Sequence, residues 1–223
     1  MRSTIFLFVI LFGFLAAVSC SSANGDQHQQ NKEKPNPQDL GKLSKAYFAS
    51  GCFWCVEAIF ESVRGVEEAV SGYSGGEIEN PTYQQVSSGR TKHAEAVEVY
   101  YDSGQVSFET LLKVFFGSHD PTTLNRQGPD VGPQYRSVVF YQTDEEKKLT
   151  EDYIKKLDAS GQYKGKIVTE VLPFQKFYKA EDYHQDYERR HPNDPYIRNV
   201  SIPRIEKFKA QFPELLKAAE TSH

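Results

Sequence analysis

Two cysteines three positions apart, Cys52 and Cys55, are the residues whose type and spacing most clearly suggest chemistry. They lie in the sequence GCFWCVE, between an apolar run typical of a strand, residues 46–49, and an amphipathic run typical of a helix, residues 56–66. A thiol at a strand-to-helix turn faces the positive end of the helix dipole and free backbone N–H groups. Because both favour the thiolate, which is the nucleophilic form of cysteine, the pattern predicts a reactive thiol.

A cysteine pair at this spacing has three interpretations: a structural disulfide, a redox pair or two metal ligands. Zinc requires about four ligands, and the histidines show no second paired spacing, so we expect no metal. A disulfide at this spacing closes a very small loop and constrains the unfolded chain little. The spacing therefore favours a redox or catalytic role. A thioredoxin-type disulfide oxidoreductase is an alternative, but such motifs usually hold small residues or proline where this chain has Phe53 and Trp54.

The N-terminal region has the composition of a secretory signal followed by a linker. Within residues 1–22, Arg2 is the only charge and an apolar run is followed by small residues, which is the order found in a signal peptide. Cys20 resembles the lipidated cysteine of a bacterial lipoprotein, so we expect a membrane-anchored protein of the cell envelope or periplasm, with soluble secretion or a retained anchor as alternatives. Residues 23–44 are polar and without apolar period, which predicts a flexible linker.

The remaining chain is large enough for one domain. With 223 residues, of which 39% are hydrophobic, it can bury a full core, and we place this domain at residues 45–200 and a C-terminal helical tail at residues 201–223. The formal charge of −4 and the absence of a run rich in lysine and arginine argue against nucleic acid as a partner.

The order of periodic segments predicts an α+β fold. The segments typical of strands are residues 46–49, 66–73, 94–101, 136–141 and 166–172, and those typical of helices are residues 56–66, 107–118 and 144–159. This order predicts a mixed or antiparallel sheet with helices packed on one face. A long polar loop, residues 120–134, is typical of a functional or a disordered segment.

Six motifs of the chain resemble the family of peptide methionine sulfoxide reductase A, MsrA. They occur in the expected order between residues 45 and 196, and they are GCFWCVE, GYSGG (72–76), NPTY (80–83), HAEAVEVYYD (93–102), HDPTTLNRQGPDVGPQYRS (119–137) and AEDYHQDY (180–187). The resemblance implies a ferredoxin-like two-layer α+β sandwich with a mixed sheet. It also implies reduction of the S epimer of methionine sulfoxide, free or in proteins, without a cofactor. We expect a monomer.

The resemblance also implies which residues carry the reaction. Cys52 would be the nucleophile, whose thiolate attacks the sulfoxide sulfur, releases methionine and becomes a sulfenic acid. Glu95, in the HAE motif, would be the acid that protonates the sulfoxide oxygen. For that role Glu95 must hold a proton near neutral pH, which requires burial.

Five further residues are implied as substrate contacts. Tyr83 and Tyr135 match the phenols that hydrogen-bond the sulfoxide oxygen, and Asp130 matches a carboxylate that positions the substrate. Phe53 and Trp54 would form an apolar pocket for the methyl group, because contacts of sulfur and methyl groups with aromatic rings are favourable.

The chain departs from the family pattern at two positions. Cys55 stands where many members have glycine, and no cysteine follows it, so Cys55 would be the resolving thiol. The Cα atoms of Cys52 and Cys55 would lie about 5 Å apart on a helical turn, which permits a disulfide that a thioredoxin-like dithiol would reduce. Pro133 stands where threonine is common, close to Tyr135. An alternative of another class is a binding module that has lost catalysis, but such a module would be expected to lose Cys52 or Glu95.

Overall fold

The computed structural model describes residues 36–218, and its strands form a six-stranded sheet and a short hairpin. The strands are β1 (Ser44–Ser50), β2 (Val66–Ser74), β3 (Ala94–Tyr101), β4 (Arg126–Gln127), β5 (Asp130–Val131), β6 (Ser137–Tyr141), β7 (Glu170–Pro173) and β8 (Phe177–Lys179). The order in the sheet is β7-β6-β1-β3-β2-β8, and only the β6–β7 pair is parallel. The predicted mixed sheet of an α+β fold is confirmed.

The helices alternate with these strands. They are α1 (Pro37–Leu40), α2 (Phe53–Glu61), α3 (Tyr83–Ser87), α4 (Phe108–Gly117), α5 (Asp144–Ser160), α6 (Tyr187–Arg190) and α7 (Ile202–Gln211). A π-helical turn, Ile197–Ser201, leads directly into α7. Ser107 caps α4, as its sequence predicts, because its side chain accepts a hydrogen bond from the backbone N–H of Thr110. Within residues 36–218, no helix has both the length and the apolar character needed to cross a bilayer.

Both faces of the sheet are buried, and the helices α2 and α4 cover one of them. Phe48 of β1 stacks on Phe60 of α2 at a centroid distance of 5.0 Å and on Phe115 of α4 at 5.3 Å. The alternate residue, Tyr47, faces the other side, where it stacks on Phe174. Strand β1 is therefore held between two apolar layers, and its C-terminal end is fixed.

Several predicted boundaries are wrong. The strand predicted at residues 166–172 begins at Glu170, because Val168 donates its backbone hydrogen bond to the loop at Pro121. The helix predicted at residues 56–66 is α2, which begins at Phe53 and ends at Glu61. The predicted linker overlaps the domain, since α1 and the first residue of β1 are folded. Residues 1–35, including the predicted signal and Cys20, lie outside the described residues.

The division between a domain and a tail at residue 201 is also wrong for the described part of that segment. It falls within the continuous run of the π-helical turn and α7, whose Ile205 and Phe208 are buried in the main core. Leu216 forms a β-bridge with Val63. The residues after 200 therefore belong to the same packed unit as the cysteines.

Candidate active site

The turn between β1 and α2 places both cysteines. Gly51 has a φ of +91°, and a Cβ atom there would lie 2.6 Å from the Cβ of Gln127, so only glycine fits this turn. Cys52 follows as the N-cap of α2, and Cys55 lies in its first turn. Both thiols are free, and Cys52 is 6% exposed while Cys55 is fully buried.

The electrostatics of the two thiols differ. Burial raises the pKa of Cys52 well above its usual value, and the neighbouring Cys55 and Glu95 raise it further. The pKa of Cys55 is lowered to about 6, mainly by the hydrogen bond from Cys52 and also by the positive charge of Arg204, in spite of burial. Burial thus opposes the effect of the helix dipole at Cys52, and Cys55 is the more acidic thiol of the pair.

Glu95 lies on β3 and points at the start of α2. Its Oε2 atom accepts a hydrogen bond from the backbone N–H of Phe53 at 3.1 Å, and the residue is 1% exposed. Burial raises the pKa of Glu95 to about 8, which outweighs the opposing effect of the Phe53 hydrogen bond. The carboxyl group therefore holds a proton at neutral pH, as a general acid at this position requires.

Aromatic rings form a wall beside the thiols. Phe53 is buried, and its ring lies 6.4 Å from that of Tyr83 and 5.0 Å from that of His184. The indole N–H of Trp54 donates to Nδ1 of His184 at 3.1 Å, and the indole stacks on Tyr187 at 3.8 Å. His184 and Tyr187 of the C-terminal aromatic motif therefore pack on the domain and fix the orientation of Trp54.

Tyr83 and Tyr135 supply two phenol groups. Burial raises the pKa of Tyr83 to about 12 and that of Tyr135 above its ordinary value, and the charges of Glu95 and Cys52 act on both in the same direction. Neither hydroxyl has a hydrogen-bond partner among residues 36–218. Both phenols therefore stay protonated and can donate to a ligand oxygen.

Glu181 holds Tyr83 in place from outside this group. Its Oε1 atom accepts from the backbone N–H of Tyr83 at 2.9 Å, and its Oε2 atom accepts from the hydroxyl of Tyr73 at 2.9 Å. His93, by contrast, has a structural role, because its ring is hydrogen-bonded to the backbone of Gly76 and Ile78.

Tyr196 is a site residue that the sequence did not reveal. Its hydroxyl donates to Oδ2 of Asp130 at 2.6 Å, and the same phenol favours the thiolate forms of Cys52 and Cys55. The edge of its ring faces Trp54 at 6.0 Å. Tyr196 reaches the thiols because the C-terminal segment packs on α2, and no local sequence pattern predicts that packing.

The structure thus brings all the predicted site residues to one place. Hydrogen bonds, ring contacts or electrostatic interactions connect these residues, which are Cys52, Phe53, Trp54, Cys55, Tyr83, Glu95, Asp130 and Tyr135. A neutral polar group bound among them would meet two phenol donors, one protonated carboxyl group and one thiol, beside an apolar wall. This arrangement suits attack by sulfur with protonation of a leaving oxygen.

Comparison with known proteins supports the same chemistry. Residues 44–216 match the family model described as peptide methionine sulfoxide reductase. The chain is 53% identical to MsrA of Natronomonas pharaonis over 169 residues, which are 76% of this chain and 95% of that protein. It is 51% identical to MsrA 1 of Rhodopirellula baltica over 174 residues, which are 78% of this chain and 90% of that protein.

Solved structures agree. Methionine sulfoxide reductase A of Corynebacterium diphtheriae superposes with a TM-score of 0.62 at 38% identity, covering 68% of this chain and 76% of that chain. Reduced Mxr1 of Saccharomyces cerevisiae superposes with a TM-score of 0.62 at 34% identity, covering 72% of this chain and 91% of that chain. The chain therefore belongs to the MsrA family of peptide methionine sulfoxide reductases, enzymes that reduce peptide-methionine (S)-S-oxide.

Proposed function

We propose that Cys52 attacks the sulfur of methionine sulfoxide while Glu95 protonates its oxygen. The observation that carries this proposal is the buried, protonated carboxyl group of Glu95, hydrogen-bonded to the residue that follows Cys52. Tyr83 and Tyr135 donate to the sulfoxide oxygen, and Asp130 positions the substrate through its polar end. Phe53 and Trp54 contact the S-methyl group.

Cys52 must lose its proton before it attacks. Cys55 is the group that takes up this proton, because the pKa of Cys52 is raised by burial while that of Cys55 is lowered by its interaction with Cys52. The thiolate of Cys52 then bonds to the sulfoxide sulfur, whose oxygen receives the proton of Glu95. The resulting hydroxyl group passes to the sulfur of Cys52 as the new sulfur–sulfur bond breaks, so that methionine leaves and Cys52 becomes a sulfenic acid. Glu95 ends this step as a carboxylate.

Cys55 resolves the sulfenic acid. Its sulfur attacks that of Cys52, and the hydroxyl group of the sulfenic acid leaves as water with the proton that Cys55 gives up. Both cysteines lie on the first turn of α2, where Cα atoms three residues apart are about 5 Å from each other, a separation that permits a disulfide. A thioredoxin-like dithiol then reduces the Cys52–Cys55 disulfide and restores the enzyme.

The experiment that tests this function is a single turnover without reductant. The reduced full chain is mixed with each epimer of a blocked methionine sulfoxide, and released methionine and remaining thiols are counted. We expect about one equivalent of methionine, from the S epimer alone, and loss of both thiols. Release from neither epimer would contradict the proposal and would favour a binding module that keeps the fold.

We further propose that the enzyme repairs oxidised proteins of the cell envelope, or secreted proteins, as a monomer. The support for this location is the signal-like composition of residues 1–22, in which Cys20 follows the apolar run. Fractionation of cells that express the parent chain and Cys20→Ala tests this location. We expect the parent in the membrane fraction and the variant outside it; equal distribution of the two would contradict lipid anchoring.

We also infer that the core is ferredoxin-like. The support is the succession β1-α2-β2-β3-α4-β6 together with the antiparallel neighbour order β6-β1-β3-β2, which is the arrangement of a β-α-β-β-α-β unit. Strands β7 and β8 extend this unit at its two edges.

A further inference from the structure

A cavity of about 630 Å³ adjoins the candidate active site, and we call it the side cavity. It shares Asp130 and Tyr196 with that site, and within residues 36–218 neither the cysteines nor the aromatic wall line it. Its other polar lining includes Asp120, Asn199, Arg204 and Lys207. Sites for small ligands measure about 300–1,000 Å³. The side cavity therefore has the volume to hold a part of the substrate that lies beside the sulfoxide.

Two cations of α7 line the side cavity. Arg204 is half-buried and Lys207 is exposed, and the two lie about one turn apart on the same face of the helix. Neither forms an ion pair with a carboxylate of residues 36–218. The side cavity thus offers two positive charges that the described part of the chain does not pair.

Arg204 is held in place by neutral oxygens. Its Nε atom donates to the carbonyl of Ser118 at 2.7 Å, and its Nη2 atom donates to the carbonyl of Ser50 at 3.0 Å. Its Nη1 atom has no acceptor among residues 36–218. Because the guanidinium group is already oriented, a carboxylate can bind to it with little further loss of side-chain freedom.

The two carboxylates that line the side cavity already accept hydrogen bonds. Asp120 accepts from the backbone N–H of Thr122 at 3.0 Å and from its hydroxyl at 2.6 Å. Asp130 accepts from the hydroxyl of Tyr196 at 2.6 Å. Their negative charge is thus partly balanced by donors of the chain itself, whereas the cations of α7 keep donors for a ligand. An anion with acceptor oxygens is the chemistry that completes such a site.

We propose that the side cavity is a specificity subsite for a carboxylate of the peptide substrate, with Arg204 as its main contact and Lys207 as a second cation. This inference rests on the proposed function, in which Asp130 positions the substrate at the edge of this cavity. Carboxylates are the anions that an unmodified peptide carries. The carboxylate belongs either to an acidic residue beside the methionine sulfoxide or to the free C-terminus of a terminal one. The enzyme therefore selects among oxidised methionines by the charge of their neighbours.

The test compares blocked peptides that differ in one group. Three peptides carry a carboxylate, as aspartate before the methionine sulfoxide, as aspartate after it or as a free C-terminus. Their neutral counterparts carry asparagine or a C-terminal amide. The full chain is assayed with the S epimer and with thioredoxin as reductant, and kcat/KM is compared within each pair. We expect the parent to prefer a carboxylate about tenfold, and the preference should decline as salt screens the charges.

Four variants assign this preference to residues. Arg204→Met should abolish it, Arg204→Lys should keep part of it, and Lys207→Glu should lower it about threefold. Lys209→Met is the matched control, because Lys209 is a cation of the same helix that pairs with Glu206 at 3.1 Å and does not line the side cavity. It should keep the parent preference. Since each ratio is taken within one protein, a general loss of activity cancels.

The proposal would be overturned if the parent preferred none of the three carboxylate peptides, or if the preference survived in Arg204→Met. Preference for the aspartate peptides would assign the subsite to acidic neighbours, and preference for the free C-terminus alone would assign it to terminal residues. If Arg204→Met does not fold, Lys207→Glu decides, and an unchanged ratio in that variant counts against the subsite.

Affinity gives a readout that needs no turnover. Binding of the unoxidised forms of the same peptides is followed by the fluorescence of Trp54, which is the only tryptophan of the chain and lies 6.0 Å from the ring of Tyr196. The affinities should show the same preference and the same response to the variants. Failure of the parent to release methionine from any peptide would refute the proposed function, whereas equal affinities for charged and neutral peptides would refute the subsite.

Discussion

Replacing Glu95 by glutamine tests whether a neutral, buried carboxyl group drives the reaction. The amide keeps an oxygen that can accept the hydrogen bond from the backbone N–H of Phe53, so the start of α2 should keep its geometry. It lacks the proton that the sulfoxide oxygen requires. Because a general acid contributes about a hundredfold to ten-thousandfold, we expect a loss of that size in the rate of methionine release.

The pH dependence of the parent provides a second, sharper expectation. With a pKa of about 8, Glu95 is about nine-tenths protonated at pH 7 and about one-tenth protonated at pH 9. The rate should therefore fall about tenfold per pH unit above about pH 8. A rising limb at lower pH, from ionisation of the two thiols, should make the whole profile bell-shaped.

The assay is rapid-quench release of methionine in a single turnover with the S epimer, from about pH 6 to about pH 10. Glu98→Gln is the matched control, since Glu98 lies on the same strand but bonds to Lys45 and Tyr47 away from the thiols. We expect the Glu98 variant to keep the parent profile. The reasoning would be refuted by a Glu95 variant within about threefold of the parent, or by a parent rate that does not decline above pH 8.

Three further predictions follow from the same geometry. Cys55→Ser should release one equivalent of methionine and then stop, even when a thioredoxin-like donor is present. Cys52→Ser should release none. Full multiple turnover of the Cys55 variant would exclude a resolving role. Tyr196→Phe removes the hydroxyl that donates to Asp130, so it should raise the pKa of Asp130 and weaken substrate affinity. NMR titration measures the pKa and KM reports the affinity. An unchanged titration of Asp130 would contradict the contact. Glu57 has a folded pKa raised to about 8 by burial, so its contribution to stability is full below its unfolded pKa and is lost as pH rises through about 8. Glu57→Gln should therefore flatten the fall in Tm between pH 4.5 and about 8, and parallel curves of Tm against pH for the two proteins would contradict this.

Local sequence patterns predicted the main strands and helices of the fold, and the family resemblance implied the residues that the structure brings together. Strand β3 begins and ends where the alternation of its sequence predicts, and α4 is capped by Ser107 as expected. The burial that Glu95 needs was inferred from its implied role, and the structure provides it. These features depend on short-range periodicity or on motifs, which a sequence displays directly.

The features that the sequence did not reveal depend on contacts between distant segments. Tyr196 meets Asp130 across 66 positions of sequence, and Arg204 meets Ser50 across 154. The opposite pKa shifts of the two thiols are also absent from the local pattern, because burial raises the pKa of Cys52 and interaction with Cys52 lowers that of Cys55. Both effects arise from tertiary packing.

The resolving role proposed for Cys55 would explain why this C-terminal segment can be both buried and functional. Where a resolving cysteine lies near the C-terminus, as in many family members, the segment that carries it must bring its sulfur to the nucleophile. Here both cysteines lie on the first turn of α2, so the disulfide requires only a local change. The C-terminal segment can then remain packed through Ile205 and Phe208 and can contribute fixed charges and hydrogen bonds, those of Tyr196 and Arg204, in place of a thiol.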